Sequence, residues 1–214
     1  MIYLNSFFNK KLTIFVIISL NFNCFSQKTN NYYDFLINNN NSFTENEELR
    51  YKISYGKSKK KGFVTGGYGV LKVDGLIKKD SIIAYKLEAK GKSTNLFSLF
   101  YRVDDYFSSY LDTTLLLSLQ FKRSVDEGKY AENQIAHFNR TQNKGVTEKN
   151  VFPITNYTQD ILSALYACRT IPNEKIKIND TVFLQIYNLE KKEFFNTHFI
   201  LTKKEKINTK PWGE

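Results

Sequence analysis

The residue types that could carry out acid–base, covalent or metal chemistry are few in this chain and poorly spaced for it. His137 and His198 are the only histidines. Neither belongs to an HxxxH or HExxH arrangement, which would set two imidazoles on one helix face to hold zinc. Asp104-Asp105 and Asp126-Glu127 are paired carboxylates, and two carboxylates brought close can do acid–base work or hold calcium. Adjacent acids in a strand point to opposite faces, so only one of each pair can enter a given site. Both pairs read as turn and strand-end signals, with surface ion pairs expected from Arg102 to Asp104 or Asp105 and from Arg123 to Asp126. Cys168 lies near the C-terminal end of a predicted helix, where the dipole opposes a thiolate, and reads as a packing residue. Gly66-Gly67-Tyr68-Gly69 resembles a phosphate loop in composition, but no helical pattern follows, so it reads as a strand that bends or is closely approached. No GxSxG elbow, Walker loop or GxGxxG is present. The sequence therefore assigns no catalytic residue, no metal and no cofactor.

The elements that would position these groups are mostly strands. In Leu49 to Tyr55 the residues Leu49, Tyr51, Ile53 and Tyr55 share one face and Arg50, Lys52 and Ser54 the other, the period of a half-buried strand. Similar runs are predicted over 63–73, 81–90, 106–111, 117–125, 130–138, 145–149, 181–187 and 194–201, with a last one starting near Lys204. Turn residues separate them, as at Lys78-Lys79-Asp80, Asp126-Glu127-Gly128 and Glu190-Lys191-Lys192. This spacing predicts a mainly β fold, an antiparallel meander curling into an open barrel or half-barrel. One segment breaks the pattern. Over about 157–170, Ile161, Leu162, Leu165, Tyr166 and Arg169 fall at helical spacing, with Asn156 as N-cap and Gln159 reciprocating. An amphipathic helix in a meander plugs the concave side of the sheet. A shorter helical piece is predicted at Thr94 to Phe100.

The N-terminus sets the compartment. Lys10 and Lys11 precede the apolar run Leu12 to Leu20, which leads into Cys24-Phe25-Ser26. That is the pattern of an export signal, whose apolar part is about 7–15 residues, and the run is too short for a bilayer span of about 20. Residues 1–26 are read as the signal peptide and 27–46 as an Asn-rich flexible lead-in without a core role. Residues 47–214 are read as one β domain. Lipidation of Cys24 is not expected, because Asn23 stands where Gly, Ala or Ser normally precedes a lipidated cysteine. Without Cys24, Cys168 has no intramolecular disulfide partner. The 214-residue chain carries a net charge of +10. Export removes genomic DNA and nucleotide pools from its partners, so no nucleic acid is expected. Basic charge suits anionic lipid or acidic glycans, and Lys57, Lys59, Lys60 and Lys61 are the candidate peripheral membrane contact.

The order of motifs resembles the bacterial domain-of-unknown-function 3108 family, in exported Bacteroidetes-type members. The resemblance rests on EELRYKISYG (47–56), YKLEAKGKSTNLFSLFYRVDDYFSSYLD (85–112), FKRSVDEGKY (121–130) and TQDILSALYACR (158–169) with the KIKINDTVFL that follows. Lys57 to Lys61 is more basic than the family's usual second turn, and Ser118 stands where the family often has proline. Family members continue past 206–209 with a further glycine-led strand and its pair, so the resemblance implies that the last strands are missing here. It implies an exported, mostly β domain and transfers no catalytic residue.

Three functional classes follow. The leading expectation is a non-catalytic binding module of the periplasm or outer membrane, holding a lipid or other amphiphile between sheet and helix. Phe97, Phe100, Tyr101, Tyr106, Tyr110, Leu162, Leu165 and Tyr166 are the expected lining. The alternative is a structural or assembly protein acting through an envelope protein partner. An enzyme of unknown type comes third, because nothing supplies a nucleophile with its base.

Overall fold

A computed structural model describes residues 42–55, 64–79 and 81–206, together with the backbone of two short stretches, 3–7 and 30–31. In chain order the strands are β1 (Tyr3–Phe7), β2 (Asn30–Asn31), β3 (Glu48–Tyr55), β4 (Val64–Lys79), β5 (Ile82–Ser93), β6 (Asp104–Asp112), β7 (Ser118–Glu127), β8 (Tyr130–Asn139), β9 (Lys144–Thr147), β10 (Val151–Pro153), β11 (Thr181–Asn188) and β12 (Glu193–Ile200). The helices are α1 (Asn95–Ser98) and α2 (Ile161–Arg169). The fold is the expected one: β1 and β3 to β10 form a nine-stranded sheet, antiparallel throughout, whose edge strands β1 and β10 do not meet. It is an open half-barrel with α2 on its concave side. The strand β1 lies inside the segment read as a signal peptide and pairs with β3.

Alternation fixes what faces α2. Val73, Leu87, Leu111, Phe121, Ala136 and Phe138 point to the concave face, where Leu162 and Tyr166 of α2 complete the main core. The opposite face carries a ladder of charges. Lys72 and Lys86 both reach Asp74, Lys86 lies 3.0 Å from Glu88, and the Tyr106 hydroxyl donates to Glu88 at 2.7 Å. Those two ammonium groups hold the Asp74 carboxyl down at about 2.

Four expectations need correction. First, the terminal hairpin does not extend the meander: β12, β11 and β2 form a separate three-stranded sheet. It covers the other side of α2, where Ala164, Ala167 and Cys168 pack on Val182, Leu184 and Ile186. The helix is therefore buried on two faces, and its buried set is Leu162, Ser163, Ala164, Tyr166, Ala167 and Cys168 rather than a single stripe. Small residues allow this close approach to a second layer, while Ile161 is 47% exposed.

Second, α2 begins at Ile161 with Asp160 as N-cap, not at Asn156. Gln159 is unavailable to a capping box at Asn156 because the sheets take it: its backbone bridges Ile186, and its side chain bonds Leu116 O and Ser118 N. Third, Phe43 of the lead-in is 3% exposed and sits edge-on between Tyr85 and Tyr166, so that segment does enter the core. Fourth, residues 201–206 form no strand. Cys24 and the Lys57 to Lys61 run lie outside the described residues.

Candidate functional site

The helix is locked to the sheet by a buried polar node. Asp160 caps α2 by accepting from the backbone N–H groups of Leu162 (2.8 Å) and Ser163 (2.9 Å). Its other carboxyl oxygen accepts from the hydroxyls of Ser109 on β6 and Ser118 on β7. The return half of the capping box comes from Ser163, whose hydroxyl accepts the Asp160 N–H. Arg140 closes the node by donating to the carbonyls of Ser118 and Thr158, both at 2.6 Å. Burial pushes the Asp160 carboxyl above the ordinary range, against the lowering effect of its donors. With Ser109, Ser118, Ser163 and Asp160 all fully enclosed, the node fastens α2 and offers no nucleophile to solvent.

A second tie joins the far end of α2 to the residue just before β3. Arg169 makes a two-pronged ion pair with Glu47, at 2.6 and 2.9 Å, and its guanidinium lies 4.9 Å over the Tyr166 ring. The Tyr166 hydroxyl is buried with no hydrogen-bond partner among the described residues. Burial raises the Tyr51 hydroxyl as well, against the nearby Arg169 charge.

Beyond these ties part of the concave face is only partly covered by the described residues, with Leu71, Ala89 and Phe107 packed on the edge of the main core. Register sets Leu71, Ala89 and Phe107 side by side, and Tyr51, Gly69, Gly91 and Asp105 in the next inward row. Tyr51, Leu71, Ala89 and Phe107 are all half-buried. At Gly91 a Cβ would meet nothing within 4 Å. The result is an apolar strip with an empty side-chain position in its floor and one carboxyl, Asp105, at its border.

Asp105 and Glu127 are the inward members of the two acid pairs, and the structure sets them close enough for the Glu127 charge to act on Asp105. Burial, more than Glu127, pushes the Asp105 carboxyl up to about 6, while the Asp126 N–H and Arg123 pull the other way. The outward members behave differently: Asp126 pairs with Arg102 at 2.8 Å, and Asp104 with Lys92 at 3.2 Å. The expected pair from Arg123 to Asp126 does not form. Arg123 points inward and is buried, held by Gln134 at 3.0 Å and by Glu132 and Glu190. His137 lies between inward Ala136 and Phe138 in sequence and so faces away from the serines and Asp160. The Cys168 thiol is pushed up to about 12 by burial.

The eight residues read as a cavity lining are not brought together. Leu162 and Tyr166 are inside the closed core, and Leu165 is half-buried beside them. Tyr106 and Tyr110 occupy the convex face, because Phe107, Ser109 and Leu111 hold the inward positions of β6. Phe97, Phe100 and Tyr101 stand at α1 and the turn after it, with Phe100 84% exposed. Sequence reasoning missed Gly91. The signal was present, a glycine two residues after Ala89 and so on the same face of β5.

Residues 50–214 match the family model of DUF3108, a protein of unknown function. This chain belongs to that family. Within the matched residues, two distant stretches meet in space where Ser109 donates to Asp160. No curated protein and no solved structure matches the DUF3108 chain.

Proposed function

We propose that this DUF3108 protein is an exported, non-catalytic module of the cell envelope that holds a hydrophobic or amphiphilic ligand on the open strip of its concave face. The observation that carries the reading is the empty position over Gly91, flanked by half-buried Tyr51, Leu71, Ala89 and Phe107. The part of these apolar side chains left in water around the unfilled floor gains free energy when an acyl chain covers it, at about 25 cal/mol per Å² removed from water. Asp105 and Tyr51 at the border supply polar contacts for a headgroup. A catalytic role finds little support, since the serines are sealed with Asp160 and the thiol of Cys168 is held protonated. Native mass spectrometry of protein purified without detergent tests the reading: a co-purifying species of lipid mass supports it, and a ligand-free spectrum opposes it.

One observation favours a second reading. Export with removal of residues 1–26 would take β1 away and leave the eight-residue strand β3 as the sheet's edge. A bare edge accepts a strand from another protein. A reproducible protein partner in a pull-down, without small ligand, would support that role.

A further inference from the structure

The convex face of the nine-stranded sheet is left open among the described residues, because α2 and the second sheet both lie on the concave side. Register sorts its side chains into rows. Lys52, Tyr68, Lys92 and Asp104 lie opposite one another in the first, and Arg50, Val70, Lys90 and Tyr106 in the second. Glu48, Lys72, Glu88, Ser108 and Lys122 make the third. The acids in and beside these rows are all engaged. Glu48 pairs with Arg50, Asp104 with Lys92 at 3.2 Å, and Asp74 with Lys72 and Lys86. Glu88 is held by Lys86 at 3.0 Å and by the Tyr106 hydroxyl. Lys52 and Lys122 are in no ion pair among the described residues, and Lys90 comes only within 4.0 Å of the Glu88 already engaged.

The cations left over line up. From Lys52 on β3 to Lys90 on β5 to Lys122 on β7, each step crosses two strands and moves one row along. On the ordinary spacings of a sheet that is a straight diagonal with about 12 Å between neighbouring lysines. Tyrosines occupy the strands between them. Tyr68 of β4 stands opposite Lys52 and is 43% exposed. Tyr106 of β6 stands opposite Lys90, whose ammonium rests 5.5 Å over its ring.

We propose that this diagonal of Lys52, Tyr68, Lys90, Tyr106 and Lys122 is a track for a linear acidic polysaccharide that carries its anions on alternate sugars. Each ammonium takes a carboxylate or sulfate as a point charge. Each tyrosine between them offers an amphipathic ring to the intervening sugar. The spacing of the lysines is close to the length of a disaccharide, so cation and ring alternate as anion and neutral sugar do. A bilayer fits this face less well, because interfacial binding needs apolar side chains beside the cations and the positions here are tyrosines with polar tips. Gly91, Ala89 and Phe107 point to the other face, so the track shares no residue with the concave strip and failure of one leaves the other standing.

Equilibrium binding of the full chain to labelled hyaluronan oligosaccharides, whose uronates fall on alternate sugars, tests the track. Dextran serves as the neutral glycan, and phosphatidylglycerol vesicles and single-stranded DNA as the other polyanions. Wild type should bind hyaluronan and not dextran, and should lose most of that binding between about 0.1 M salt, where the Debye length is about 10 Å, and about 1 M, where it is about 3 Å. Lys52→Gln/Lys90→Gln/Lys122→Gln should bind at least about 10-fold more weakly. Tyr68→Ala alone should lose about 3-fold. Lys149→Gln/Lys175→Gln/Lys177→Gln removes the same charge from exposed positions off this face and should bind like wild type. Absence of hyaluronan binding, equal losses in the two triple variants, or Tyr68→Ala binding like wild type would each overturn the proposal. So would tighter binding of the vesicles or the DNA through the same three lysines.

Discussion

The Ser109 hydroxyl donates to the Asp160 carboxylate across 2.7 Å, joining the middle of β6 to the first turn of α2 over 51 residues of sequence. The same carboxylate caps the helix, so one buried side chain sets both where α2 starts and how it sits on the sheet. Losing an N-cap costs about 0.5–2 kcal/mol, and each buried hydroxyl left without an acceptor about 1–3 kcal/mol. Asp160→Ala should therefore lower stability by about 3–5 kcal/mol in urea melts. Asp160→Asn should cost less, because its oxygen still caps and the serine hydroxyls can turn to accept. Equal losses for Ala and Asn would show that the node does not work this way.

The two-faced burial of α2 separates neighbouring leucines. Leu162 is 4% exposed in the main core, and Leu162→Ala should cost about 2–5 kcal/mol. Leu165 is only half-buried, so its truncation should cost roughly half as much in the same melts. A larger loss at Leu165 would place the helix a third of a turn away from this packing.

Tyr166 makes an opposite kind of prediction. Its ring fills the core, but its hydroxyl is buried with no well-formed hydrogen bond among the described residues, with the Arg169 guanidinium beside it. Tyr166→Phe keeps the ring and removes a desolvated polar group, so it should be neutral or stabilise by up to about 2 kcal/mol. A marked loss of stability would mean that the hydroxyl is bonded in solution.

Asp105 gives the fold a pH dependence. Its folded pKa, about 6, is raised above its unfolded value, so the folded state holds the proton more tightly. Its contribution is fully present below about pH 4 and is lost as pH rises through 6. Relative to Asp105→Asn, wild type should therefore melt progressively lower between pH 4 and pH 7. A difference in melting temperature that stays constant across that window would contradict the assignment.

How much of this was legible in the sequence varied with the physics of each element. Strands such as β3 were readable because Leu49, Tyr51 and Ile53 alternate with polar residues, and an alternating surface has one way to bury itself. Strand β6 was readable as a strand, but not for its faces. Tyr106, Phe107 and Tyr110 put aromatics on both parities, and only the pairing with β5 and β7 decides that Phe107 is inside. The start of α2 was misplaced because Asn156 and Gln159 satisfy the local rule for a cap, while a nonlocal contact, Gln159 with Leu116 and Ser118, overrides it. Phe43 was invisible for a related reason. A single aromatic in an Asn-rich run has no periodic neighbour, and its place between Tyr85 and Tyr166 is purely tertiary. The meeting of Asp105 with Glu127 needed the register of β6 against β7, although each acid was noticed alone.

The central claim is that the strip over Gly91 is a binding surface, and filling its floor tests that most directly. A Cβ at Gly91 meets nothing within 4 Å among the described residues, so Gly91→Leu should fold and melt like wild type while occupying the position a ligand would use. Native mass spectrometry of the two proteins, purified in parallel without detergent, should show a lipid-mass adduct on wild type and none on Gly91→Leu. An adduct retained undiminished by the variant, or absent from wild type, would contradict the account.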